Sequence, residues 1–125
     1  MLHLLLFTVV ALVLPTAVSA TPPASPELVL DDAHRQVSAW PAVTVRGDPG
    51  HALTLDQIRR EPEAFEAPRG PTNNLGPRRD TVWLRVPLRV AGGDGRWVFD
   101  LDYPSIQEAD LYLLEAGERV GEWRL

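Results

Sequence analysis

One stretch of the sequence constrains the fold more than any other. From Thr81 to Val90, apolar residues fall on every second position. Val82, Leu84, Val86, Leu88 and Val90 take one side, and Thr81, Trp83, Arg85, Pro87 and Arg89 take the other. Successive side chains of an extended chain point to opposite faces, whereas a helix needs spacings of three and four. The stretch therefore reads as a strand with one face on a core and the other toward water or a partner. Pro87 has no N–H to give to a ladder, so the strand is expected at an edge or bulged there.

The rest of the chain fits an all-β reading around one short helix. Leu28-Val29-Leu30 and Val43-Thr44-Val45 are short strand candidates, the second ended by the turn cluster Gly47-Asp48-Pro49-Gly50. Thr54 with Gln57 three residues on is a capping-box pattern, and Leu55 and Ile58 share a helical face. Pro62 stops that helix near Arg60. A long polar loop follows to Gly76, with Phe65 and Leu75 as its anchors into the core. Trp97, Phe99, Leu101 and Tyr103 alternate with Val98, Asp100 and Asp102, which predicts a strand forming a hairpin with Thr81–Val90. Strands over about Ala109 to Glu115 and from Arg119 to Leu125 flank an Ala116-Gly117-Glu118 turn. Short strands at this spacing predict an antiparallel, jelly-roll-like sandwich. The sequence ends at Leu125 inside the last strand, and the expectation is that further sequence or a neighbouring chain completes the sheet.

The N-terminus reads as an export signal. Leu4 to Leu14 is apolar except for Thr8, and such a run falls short of the about 20 residues a bilayer span needs. Val18-Ser19-Ala20 carries small residues at the last and third-last positions, which fits cleavage after Ala20. The expected organisation is a signal peptide over 1–20, an extended Pro-rich leader over 21–36 and a sensor-sized domain over 37–125. The location is then the periplasm or the outer side of the inner membrane.

Charge and composition narrow the function classes. The 125 residues carry a net charge of -5, and the twelve basic residues are all Arg, spread from Arg35 to Arg124. A phosphate backbone repels such a chain, so nucleic acid is not an expected partner. The absence of Cys excludes disulfides, thiolate catalysis and Cys-based zinc sites. Asp100, Asp102, Glu108 and Asp110 cluster in sequence but lack the spacing and the Gly of a calcium loop. They read as a solvated strand face, and no metal or cofactor is expected. His34 and His51 stand alone in turn contexts and read as surface residues. Gly92-Gly93-Asp94-Gly95 precedes a strand candidate rather than a helix, so it lacks the N-terminus that cradles phosphate.

From about Val43 onward the order of motifs resembles the type 2 extracellular domain of bacterial seven-transmembrane receptors with diverse intracellular signalling modules. The matching features are Gly47-Asp48-Pro49-Gly50, the Leu53-Thr54-Leu55-Asp56 helix start and Phe65. They continue with Asn74-Leu75-Gly76, Thr81-Val82-Trp83-Leu84-Arg85, Trp97-Val98-Phe99-Asp100-Leu101 and Ala109-Asp110-Leu111-Tyr112-Leu113. The resemblance implies a jelly roll similar to carbohydrate-binding modules, placed before seven membrane helices that this sequence does not contain. It also implies a carbohydrate or small polar metabolite as ligand.

Trp83, Arg85 and Arg89 are the candidate ligand residues, because aromatic faces and Arg forks suit sugars, carboxylates and peptides. The competing structural account pairs Arg85 with Asp100 or Asp102 across the expected hairpin, which explains the charges without a ligand. The leading function is a non-enzymatic, exported ligand-sensing domain of a membrane receptor. A free periplasmic module completed by a partner's strand is the alternative. A secreted glycoside hydrolase is a third reading, and it needs a placed carboxylate pair that sequence alone does not supply.

Overall fold

The computed structural model describes residues 26–70, 74–102 and 106–125. The signal peptide over 1–20, the start of the leader over 21–25, Asn73 and Tyr103 lie outside the described residues.

Among the described residues, six strands and one helix make up the regular structure. They are β1 (Leu28–Leu30), β2 (Thr44–Asp48), α1 (Leu55–Arg60), β3 (Thr81–Arg85), β4 (Leu88–Val90), β5 (Asp110–Glu115) and β6 (Glu118–Arg124). The strands pair two by two: β2 with β3 and β5 with β6 antiparallel, and β1 with β4 parallel. This is a mainly β chain with sheets too small to close on themselves, an incomplete sandwich with one short helix. Single 3-10 turns at Trp40–Ala42 and Pro62–Ala64 each carry a proline in the first turn, where its missing N–H costs nothing.

The core gathers around β2. Ala42, Val43, Val45 and Ile58 are its buried apolar residues, joined by Thr44 and Asp48. Strand β2 is enclosed from both sides: β3 pairs along one edge, and Glu66 exchanges two backbone hydrogen bonds with Val45 on the other. Asp48 ends the strand. Its carboxylate accepts from the N–H groups of Ala52 and Leu53 at 3.2 and 2.9 Å, and its carbonyl accepts from the His51 N–H. The chain is thereby turned into α1 by an Asp that satisfies the loop's own donors. Helix α1 opens with a complete capping box between Thr54 and Gln57, and Ile58 is the side chain it buries.

The structure corrects the expectation of one strand over Thr81–Val90. The ladder stops after Arg85 and resumes at Leu88 in a different sheet. Pro87 is the cause, because it offers a carbonyl but no N–H: its carbonyl accepts from the Leu28 N–H at 2.8 Å and so starts the β1–β4 pairing. The even-numbered face is not uniformly covered either. Val82 and Val86 are partly buried, whereas Leu84, Leu88 and Val90 are exposed.

The expected hairpin with Trp97–Tyr103 does not form. Residues 97–102 hold no regular structure, and Val98 and Phe99 are exposed. Backbone geometry contributes: Gly93 and Gly95, just before the segment, take φ of 94° and 71°, left-handed conformations that end the extended chain after β4. The consequence for charge is direct. Arg85 stands opposite Thr44, not opposite Asp100 or Asp102.

The β5–β6 hairpin matches its sequence. Ala116 and Gly117 form a two-residue loop at φ 48° and 83°, the left-handed pair whose twist suits flanking strands. A register shift between Leu113 and Leu114 leaves Val120 as the extra residue of a bulge. One face carries Ala109, Leu111 and Leu113 opposite Leu125, Trp123 and Gly121. The Trp123 ring covers Gly121 so closely that a Cβ there would stand 2.3 Å from it. The other face carries Asp110 and Tyr112 opposite Arg124 and Glu122, with Asp110 and Arg124 paired at 2.7 Å.

Candidate functional site

The polar face of the β2–β3 sheet brings together Thr44, Arg46 and Asp48 with Arg85, Trp83 and Thr81. Residues directly opposite in a ladder share a face, so Arg46 lies beside Trp83 and Thr44 beside Arg85. The Trp83 ring stacks on Tyr112 of β5, with centroids 6.1 Å apart and planes 18° from parallel. This aromatic pair ties the β2–β3 sheet to the β5–β6 hairpin.

Two buried donors on this face stand outside full hydrogen-bond geometry. Arg46 gives Nη2 to Glu61 at 2.6 Å, but its Nη1 is buried without a partner. The Trp83 indole Nε1 is also buried outside hydrogen-bond geometry. It leans toward the Asp48 carboxylate closely enough to help keep that group ionised. A buried donor without an acceptor costs about 1–3 kcal/mol, so the Arg46 Nη1 marks a place where an oxygen acceptor is favoured. Burial pushes the Asp48 carboxyl up, yet the Leu53 and Ala52 N–H groups, the nearby His51 charge and Trp83 outweigh it. The net result is a carboxyl held below its ordinary value. It stays an acceptor and does not supply a proton to the site.

The three ligand residues expected from sequence are not all brought together. Trp83 and Arg85 share the face just described. Arg89 lies on β4 in another sheet, where its Nε donates to Glu27 at 2.9 Å. Arg46, absent from the expectation, is the residue the fold adds. Its Glu61 partner lies beyond α1, and only the fold brings the two together. Asp100 and Asp102 lie exposed in the irregular segment, while Asp110 is engaged by Arg124. Among the described residues, no three His, Cys, Asp or Glu side chains cluster closely enough to hold a metal. His34 and His51 are both exposed; their Nδ1 atoms meet Asp31 and Thr81, each at 2.8 Å.

An open cleft of about 440 Å³ lies elsewhere, between α1 and the β5–β6 turn. Its cations already have partners: Arg59 donates to the Gly117 carbonyl and faces Asp56, and Arg119 pairs with Glu122. The cleft thus joins two elements through its own side chains and offers a ligand less than the β2–β3 face does.

No helix among the described residues is long and apolar enough to cross a membrane. A search of curated proteins returns no match. A family model described as 7TMR-DISM extracellular 2 matches residues 41–125, from the 3-10 turn before β2 to the end of β6. That span is more than half the chain and holds the whole candidate face, so the chain belongs to the type 2 extracellular domain family of seven-transmembrane receptors, which acts on the outer side of the membrane.

Proposed function

We propose that this chain is the ligand-sensing domain of an envelope receptor, exported to the periplasm by a signal peptide over residues 1–20. It recognises a carbohydrate or small polar ligand and does not transform it. The jelly-roll class belongs to the same reading. Its recognition face consists of Arg46, Trp83, Arg85 and Tyr112. The observation that supports it is the buried Arg46 Nη1, a donor without a partner on the residue that stands opposite Trp83 in the ladder. That atom lies beneath the surface, so a ligand that pairs with it has to displace the side chains above. Trp83 is also the link to Tyr112 on the hairpin. Binding therefore favours one placement of the hairpin over another, which is how differential affinity becomes a signal.

The test is titration calorimetry with a panel of mono- and oligosaccharides, sugar acids and small carboxylates, with tryptophan fluorescence in parallel. A binder is expected, and Arg46→Gln and Trp83→Phe each weaken it at least tenfold while the melting transition is retained. A panel without a binder of millimolar affinity or better sinks the reading. So does a binder indifferent to both substitutions.

A second reading has its own observation. The Leu111–Leu113–Trp123–Leu125 face of the hairpin leaves Leu113, Trp123 and Leu125 exposed, as a module completed by a partner would.

A further inference from the structure

The first strand sits in the fold in an unusual way. Strand β1 is three residues long, half-exposed throughout, and its one strand partner is β4. Among the described residues, its backbone ladder and the side-chain contacts flanking it join residues 27–32 to residues 87–93. The Leu28 N–H donates to the Pro87 carbonyl, and the Ala91 N–H donates to the Leu30 carbonyl, both at 2.8 Å. Glu27 pairs with Arg89 at 2.9 Å. At the far end the Asp32 carboxylate occupies the space where a Cβ on Gly93 would stand. The receiving edge thus has a charge at one end, a backbone ladder in the middle and a glycine notch at the other end. It is complementary to one short segment and to its direction.

That segment hangs on a long tether. Residues 31–39 contain turns and bends but no helix or strand before the 3-10 turn at Trp40. Opened out, nine residues reach about 30 Å, comparable with the diameter of a small domain. Nothing in the ladder distinguishes a strand arriving from its own chain from one arriving from another copy.

We propose that the β4 edge is a strand-receiving site and that two copies of this chain pair by exchanging β1. A nine-residue tether, once opened, holds its own strand at an effective concentration of about a millimolar. Dilute chains therefore keep their own β1, and chains crowded to that density exchange it. This inference is independent of the ligand reading above.

The chain has no cysteine, which makes a crossing strand easy to trap. Leu30 and Val90 are ladder partners, so cysteines at both positions lie within disulfide reach. The full chain carrying both L30C and V90C is expected to close an internal disulfide when oxidised dilute. Failure to close means the register is wrong, and the proposal falls with it. The single variants L30C and V90C are then mixed at high concentration and oxidised. The expected product is a mixed disulfide dimer several-fold more abundant than either homodimer, growing with concentration. Adding Glu27→Arg to the L30C chain is expected to suppress it, and Arg89→Glu in the V90C chain to restore it. A mixed dimer no more abundant than the homodimers, or one blind to charge reversal, overturns the exchange.

Discussion

At the scale of single residues, function and stability rest on how a few polar groups find partners. Thr54 shows the local case. Its hydroxyl accepts from the Gln57 N–H while the Gln57 side chain accepts from the Thr54 N–H, so two otherwise orphaned donors are satisfied within one turn. Helix α1 is only six residues long and cannot persist on propensity. Thr54→Ala is expected to destabilise the domain by about 1 kcal/mol in chemical denaturation, with Thr54→Ser close to wild type. An alanine variant as stable as the parent shows that tertiary contacts alone hold the helix start. Thr54 and Gln57 are legible in sequence because their partnership spans three residues. Arg46 is not. Its carboxylate partner Glu61 is brought back by a helix and a turn, and its neighbour Trp83 by strand pairing. Arg85 is an intermediate case. Its strand and face follow from alternation, but its opposite number depends on which strand lies alongside, and that is Thr44 rather than an aspartate.

At the scale of elements, short-range signals predict well and long-range pairing does not. The β5–β6 hairpin and the helix follow from spacing and from the chemistry of turn residues, whereas Pro87 divides the expected single strand between two sheets. The parallel β1–β4 pair joins segments some sixty positions apart, and no local signal announces it. The Trp97–Leu101 alternation fails for the converse reason. Period two states that a segment suits a sheet, but it does not supply the partner strand, and residues 97–102 pair with no strand among the described residues. The hairpin turn offers a sharp test of the local signal. Ala116 sits at φ 48°, a conformation disfavoured for a residue with a Cβ and no side-chain hydrogen bond to offset it. Asn followed by Gly is the preferred pair for this loop. Ala116→Asn is expected to stabilise the chain by about 0.5–1 kcal/mol, read as a higher denaturation midpoint, whereas Ala116→Val destabilises it. An unchanged Asn variant means the turn is remodelled in solution.

At the scale of the whole molecule, a small core carries a large share of the stability, and ionised carboxylates at its margin tune it with pH. Val45 is 7% exposed, lies opposite Leu84 and bonds through its backbone to Glu66, so it holds three segments at once. Val45→Ala is expected to cost about 2 kcal/mol, more than truncation of exposed Leu84, in equilibrium denaturation. The pH dependence is set by four aspartates, all held below the ordinary 3.8. Asp31 is lowered first by its bond to His34, Asp80 by Arg78 and Asp110 by Arg124. In Asp48 burial pulls upward but backbone donors prevail. Unfolding releases each carboxyl to its ordinary value, so below that value the unfolded chain takes up protons the folded chain refuses. Their stabilisation is therefore complete well above pH 3.8 and is lost as pH falls through that value and then through the lowered ones. Denaturation midpoints are expected to stay level toward acid until about pH 5 and to fall steadily below it. Asp80→Asn removes one of the four, leaving a chain less stable at neutral pH with a shallower acid loss. Because Asp80 and Arg78 pack over the backbone of Gly47 in β2, that loss is expected to loosen the edge of the recognition sheet. Midpoints that hold constant or rise down to pH 2 contradict this account of the carboxylates.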